Sequence, residues 1–149
     1  MIKYLLDTNI ASYFADDFSP FHSAVVEKLS NLGNHESVYL SMLTIYEFQY
    51  GIACANSVLS EKFSDTKNTM TRIFDIINLS EEGAEVFGEM KLKYRIETGI
   101  SQKAIKQHNI DLMLASTAIS ENAVLVSNDR IFEQIQNIYP NLFLENWTI

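Results

Sequence analysis

The chain has 149 residues, 47% of them hydrophobic and 11% aromatic, and a mean hydropathy of -0.02. It can build a packed core and is neither disordered nor fibrous. Nineteen acidic residues against eleven basic ones leave a net charge of -8. That balance opposes a nucleic acid spread over the whole surface, but not one met by a local cluster of cations or through a bound divalent ion. The length suits one domain, 1–149. A single cysteine, Cys54, permits no internal disulfide, which fits a reducing cytoplasm. No apolar run approaches the ~18 residues of a membrane span. Asp7 interrupts the first apolar stretch too early for a signal peptide.

The predicted elements alternate. Ile2 to Leu6 reads as a short buried strand and Thr8 to about Ala15 as a helix. Pro20 suits the first turn of a second helix through Val25, Val26 and Leu29 that ends near Gly33. Ser37 to Ser41 is a strand, followed by a helix with Ile45, Phe48, Ile52 and Ala55 on one face. Leu59 to Ile73 reads as helix and Phe74 to Leu79 as a third strand. Ser80, followed by Glu81 and Glu82, caps a helix that runs to Thr98 and stops at Gly99. After a polar loop, Asn109 is expected to cap a helix over Ile110 to Ser120. Ala123 to Val126 is a strand, Asp129 to Asn137 a short helix and Leu142 to Leu144 a last strand. Strands separated by helices imply parallel pairing and right-handed crossovers. The expected architecture is an α/β/α sandwich around a parallel sheet of about five strands.

Ligands in such open sheets bind outside the carboxyl ends of the strands. Four acids stand at those junctions: Asp7 after the first strand, Glu47 in the early turns of its helix, Asp111 in a first turn, and Asp129 after the strand Ala123 to Val126. Each alone has a structural explanation. Asp7 and Asp129 would serve as helix caps, and Glu47 and Asp111 would complement helix dipoles. Asp7 and Asp111 are flanked by core-forming residues with no basic neighbour in sequence, however. Carboxylates so placed need a partner, and a hard divalent cation is the natural one. A site of that kind hydrolyses phosphodiesters with a metal-activated water and no protein nucleophile. The absence of a GxSxG elbow and of a P-loop agrees with this. An aspartyl-phosphate route would need a second Asp where Asn9 stands.

These residues carry a resemblance. Tyr4-Leu5-Leu6-Asp7-Thr8-Asn9-Ile10, Ser41-x-x-Thr44-x-x-Glu47-Phe48-x-Tyr50-Gly51, Asp111-Leu112-Met113-Leu114-Ala115-Ser116-Thr117-Ala118-Ile119 and Leu125-Val126-Ser127-Asn128-Asp129-Arg130-x-Phe132 occur in that order, with Glu145-Asn146-Trp147 near the end. Together they resemble the PIN-domain ribonucleases, and within them the VapC-type toxins of type II toxin–antitoxin pairs. The resemblance implies a PIN fold and a Mg²⁺- or Mn²⁺-dependent endoribonuclease. Asp7, Glu47, Asp111 and Asp129 would be its catalytic, metal-binding acids, bound to one ion or two. Thr8, Asn9, Ser127 and Asn128 would support them or touch substrate, with Asn128 able to share the role of Asp129. It also implies an RNA substrate, a small antitoxin partner, a homodimer and no membrane. Other expectations for such a chain are an inactive interaction module of the same fold, or an RNA-processing nuclease outside any toxin pair. The stretch Lys106-Gln107-His108-Asn109-Ile110 departs from the Ile-Gly-x-x found before the third acid in many members.

Five of the eleven basic residues, Lys91, Lys93, Arg95, Lys103 and Lys106, crowd one stretch. They read either as a solvated helix face or as a strip along which RNA approaches. His108 reads as a loop histidine in preference to a ligand, because Mg²⁺ prefers oxygen; His22 and His35 have no acidic motif beside them. Cys54 is expected as a small core residue. Trp147 is expected in core or dimer packing, and Phe14, Phe18 and Phe21 as packing residues or an apolar patch for a partner helix.

Overall fold

Successive residues of the first strand go to opposite sides of the sheet: Leu5 joins one core cluster, while Tyr4 and Leu6 join the other. A strand covered on both faces reads as an unbroken apolar run, which is why IKYLL shows no alternation. The structure, a computed structural model, describes residues 1–149. Five strands, β1 (Ile2–Leu6), β2 (Glu36–Ser41), β3 (Asp75–Ile77), β4 (Ala123–Val126) and β5 (Leu144–Glu145), form one parallel sheet in the order β3-β2-β1-β4-β5. Leu5 pairs with Tyr39 on one side and Leu125 on the other.

Helices α1 (Thr8–Ala15), α2 (His22–Ser30), α3 (Met42–Cys54) and α4 (Ser57–Ile73) bring Ile10, Val25, Phe48 and Met70 against the Leu6 face. Helices α5 (Glu81–Thr98), α6 (Asn109–Ser120) and α7 (Arg130–Ile138) bring Met90, Leu112 and Ile135 against the Leu5 face. This is the expected α/β/α sandwich. The chain runs from β1 outward to β2 and β3, then returns to the other side of β1 with β4. The reversal between β1 and β4 opens a crevice at the strands' carboxyl ends.

Several local expectations are corrected. Pro20 stands in the turn before α2, whose cap position is Phe21. Strand β3 is three residues long, because the Phe74 amide closes α4 on the Met70 carbonyl at 2.9 Å and Leu79 lies in the open. Leu142 turns inward as a core residue, so β5 starts at Leu144. The polar loop holds a 3₁₀ helix, Ala104–His108, anchored by the buried side chain of Ile105. Asn109 does not cap α6: it is the first helical residue, and its Oδ1 accepts a 2.7 Å hydrogen bond from Lys91. Cys54 is exposed near the end of α3 and not in the core. Phe14 packs edge-on against Phe74 and Phe21 tilts onto Tyr13, leaving Phe18 alone in solvent, so no three-phenylalanine patch exists.

Other expectations hold in detail. Ser80 accepts the Gly83 amide at 3.0 Å and caps α5, and Gly99 ends that helix with φ +71°, a conformation glycine adopts without strain. Trp147 is buried against Tyr4 and donates to Glu145 at 2.8 Å. No helix is long and apolar enough to cross a membrane. Leu5, fully buried in the central strand, is the residue whose truncation the layers can least absorb. Leu5→Ala is expected to cost about 2–5 kcal/mol, read as a lowered midpoint in urea denaturation with an unchanged slope.

Candidate active site

Asp7 leaves β1 where the sheet ends, its amide still bonded to the Val126 carbonyl of β4 at 2.9 Å. It occupies the cap position of α1 in extended backbone conformation, yet its side chain makes no cap hydrogen bond. The carboxylate turns instead to Ser127, whose hydroxyl donates to Oδ2 at 2.8 Å across 120 residues of sequence. The same Ser127 oxygen accepts the Asp129 amide at 3.0 Å, so one hydroxyl links the first acid to the loop carrying the fourth.

Glu47 is the sixth residue of α3, beyond the first turn where a helix dipole acts. Thr8 donates to its Oε1 at 2.6 Å. Thr8 also lies 3.0 Å from the Thr44 hydroxyl. Since the single Thr8 proton goes to Glu47, Thr44 is the donor in that pair. Thr44 is fully buried one turn before Glu47. The result is a relay, Thr44 to Thr8 to Glu47. Thr44 has no site role in the sequence reading; its signal was the three-residue spacing to Glu47 on one helix face.

Asp111 projects from the first turn of α6, with His108 Nδ1 3.9 Å from its Oδ2 and the His108 ring edge-on to Tyr94. His108 is thus half-buried beside the third acid and not a free loop histidine. Asp129 is exposed and does cap its helix, accepting the Ile131 amide at 3.2 Å. Asn128 is half-buried beside it, and Asn9 is exposed on α1. Asn128 and Asp129 also line a concavity of about 240 Å³ with Glu133 and Glu145.

Asp7 and Asp111 feel the charge of their acidic neighbours. Burial pushes the Asp7 carboxyl up to about 6; the Ser127 hydroxyl and the Thr8 amide oppose the shift, while Asp111 and Glu47 add to it. Asp111 also rises to about 6, through burial first and then through Asp129 and Glu47. No lysine or arginine lies within ion-pair distance of any of the four. The donor set is carboxylate and hydroxyl oxygen, the chemistry of a hard divalent ion. No three His, Cys, Asp or Glu side chains are gathered closely enough to ligate one ion together.

The basic strip divides. Lys91, Arg95 and Lys106 line one concavity. Lys93 turns away toward Glu97, 4.0 Å distant, and the Tyr139 ring. Lys103 is exposed outside the concavity.

The family model of the PIN domain matches residues 4–138. The chain is 32% identical over 145 residues to Ribonuclease VapC2 of Rickettsia felis, covering 97% of each. A chain in the crystal structure of VapBC2 from Rickettsia felis, bound to a DNA fragment from their promoter, superposes with a TM-score of 0.78 at 29% identity, covering 98% of this chain and 99% of that one. VapBC-1 from nontypeable Haemophilus influenzae shares the fold, with a TM-score of 0.76 at 22% identity over 99% of this chain and 100% of that one. This chain belongs to the PIN domain family.

The raised carboxyls fix the sign of a pH effect. With chelator present, the native state holds protons on Asp7 and Asp111 up to about pH 6, whereas the unfolded chain releases them near pH 4. Stability therefore falls as pH rises through 4 to 6. Asp7 accounts for up to about 3 kcal/mol of this loss, and Asp111 for less because water screens it. Asp7→Asn, which can still accept from Ser127, is expected to be more stable than the parent in EDTA at pH 7. Its melting temperature should also vary less between pH 5 and 7. A parent whose melting temperature is the same or higher at pH 7 would contradict this.

Proposed function

We propose that this chain is a Mg²⁺- or Mn²⁺-dependent endoribonuclease, the toxin of a toxin–antitoxin pair, that hydrolyses RNA phosphodiester bonds. The observation that carries the reading is the set of four acids at the crevice of a PIN-family sheet, two of them, buried Asp7 and half-buried Asp111, beside acidic neighbours, with no lysine or arginine paired to any of the four. Ribonuclease VapC2, similar over nearly the whole chain, supports the activity, and the likeness to VapBC2 supports a small antitoxin partner.

Asp7, Glu47, Asp111 and Asp129 would be the metal-binding acids, one or two of them on an ion directly and the others through its waters. Bound there, it supplies a water acidified toward neutrality and positive charge against the attacked phosphate. The chain's own groups do the positioning. Ser127 orients Asp7 and pins the Asp129 loop, while Thr8, aligned by Thr44, orients Glu47. Asn9 and Asn128 stand at the rim, where they can meet substrate. Burial of Asp7 sharpens its need for a cation, because a desolvated anion gains more from one than a hydrated anion does. The active form would be a homodimer in the cytoplasm.

Purified protein is expected to cut total cellular RNA into discrete fragments with Mg²⁺ or Mn²⁺ and not with EDTA, and Asp7→Asn prepared identically to cut nothing. Absence of cleavage by folded, partner-free protein in either metal would favour an interaction module instead. Thr44→Val keeps the shape of the buried residue but removes the hydroxyl that aligns Thr8. It is expected to slow cleavage on the order of tenfold, as loss of a group supporting a metal ligand does, while Thr44→Ser restores most of the rate.

A further inference from the structure

Helix α5 carries a face that its own packing does not explain. Gly88, Lys91, Leu92 and Arg95 recur at helical spacing and form one wall of a concavity of about 300 Å³, closed by Gln102 from the turn before the 3₁₀ helix and by Ile105 and Lys106 within it. No acidic residue lines it. None of its three cations has a carboxylate within ion-pair distance, in a chain whose net charge is -8. Lys91 is held by a neutral partner, the Asn109 amide oxygen at 2.7 Å, so its charge is positioned without being cancelled.

Gly88 points the same way by a separate route. Glycine inside an 18-residue helix destabilises it relative to alanine. A Cβ added at Gly88 would meet nothing within 4 Å, so no internal contact requires its absence. What the missing side chain does is leave the concavity open. The volume lies at the lower end of the range that takes organic ligands, room for a phosphate with its sugar. Leu92 and Ile105 supply its apolar lining beside the three cations. Arginine supplies a planar fork for phosphate oxygens and lysine a point charge. The concavity is tied to the helix of the third acid: Asn109, which holds Lys91, is the first residue of α6, two before Asp111.

Resting on the RNA-cleaving reading above, we propose that the concavity between α5 and the 3₁₀ helix docks a backbone phosphate of the RNA strand on Lys91, Arg95 and Lys106. It lets an acidic protein hold a polyanion at one place and feed it toward the carboxylates. The rest of the surface repels RNA, so the strand is guided as well as bound.

The test is binding of a short fluorescent single-stranded RNA in EDTA, where no cleavage is needed. Arg95→Glu with Lys106→Glu is compared with Lys28→Glu and Lys62→Glu, exposed residues of α2 and α4 that change the net charge equally. The α5 pair is expected to weaken binding about tenfold or more and to flatten its salt dependence, and the control pair to do neither. Gly88→Leu fills the concavity without changing charge and is expected to weaken binding while the protein stays folded. Equal losses in both pairs, unchanged binding by the α5 pair or by Gly88→Leu, or a parent that binds no RNA would each overturn the proposal. So would an α5 pair that keeps RNA but loses an oligoglutamate peptide, which would mark a protein-binding site. The two readings fail separately. RNA binding through this concavity without cleavage counts against the nuclease alone, and metal-dependent cleavage unaltered in the α5 pair counts against the docking site alone.

Discussion

Like charges held close together in a partly dry crevice are the condition around which this molecule is organised. Asp7 is buried where β1 ends and meets the fields of Asp111 and Glu47, and its carboxyl rises to about 6 in consequence. An anion in that position destabilises the fold unless something answers it. Here the answers are partial: one hydroxyl, from Ser127, and one backbone amide, from Thr8. The remaining demand is for a cation that the chain itself does not provide. A site held short of full satisfaction by its own side chains keeps affinity for what must bind there, at a cost in stability that the two core clusters offset.

The supporting groups follow from that condition. Ser127 can reach Asp7 only because β4 lies beside β1. Thr44 can align Thr8 only because β2 lies on the other side of β1, which brings the start of α3 to the same crevice. Parallel pairing places every strand's carboxyl end on one edge, and the reversal of strand order at β1 keeps a helix from covering that edge. The acids arrive from four segments of the chain and converge because the sheet has one polarity. Two of them, Asp7 and Glu47, are then held by hydroxyls, from Ser127 and Thr8, which hold orientation without cancelling charge.

Charge is distributed with the same economy of place. The chain is acidic overall, yet three cations that face no carboxylate, Lys91, Arg95 and Lys106, share one concavity between α5 and the 3₁₀ helix. Acids stand at the crevice, and these bases line a separate concavity free of acids. A net charge summed over 149 residues hides this separation, since short-range fields near a low-dielectric surface depend on the nearest charges and not on the total.

Much of the architecture was legible along the chain because both of its signals are local. Apolar runs such as IKYLL and AVLV mark strands covered on both faces, and Ser80 and Gly99 mark helix ends by side-chain and backbone chemistry that acts within a few residues. The four acids were visible as well: Asp7 and Asp129 follow strands, Asp111 lies in a first turn and Glu47 in the early turns of its helix. Tertiary structure alone decided what those acids touch. That Asp7 gives up its cap for a hydroxyl 120 residues away, that Thr44 stands behind Thr8, and that Asn109 leaves its cap to hold Lys91 all depend on strand order and helix packing. The division of the basic strip has the same origin. Lys91 and Arg95 share a helix face by spacing, but only the fold brings Lys106 to them and turns Lys93 away toward Glu97. Local pattern sets which residues form an element and which of its faces is apolar; the relation between elements distant in sequence sets where each charge ends up, because electrostatics and hydrogen bonding act through space and not along the chain.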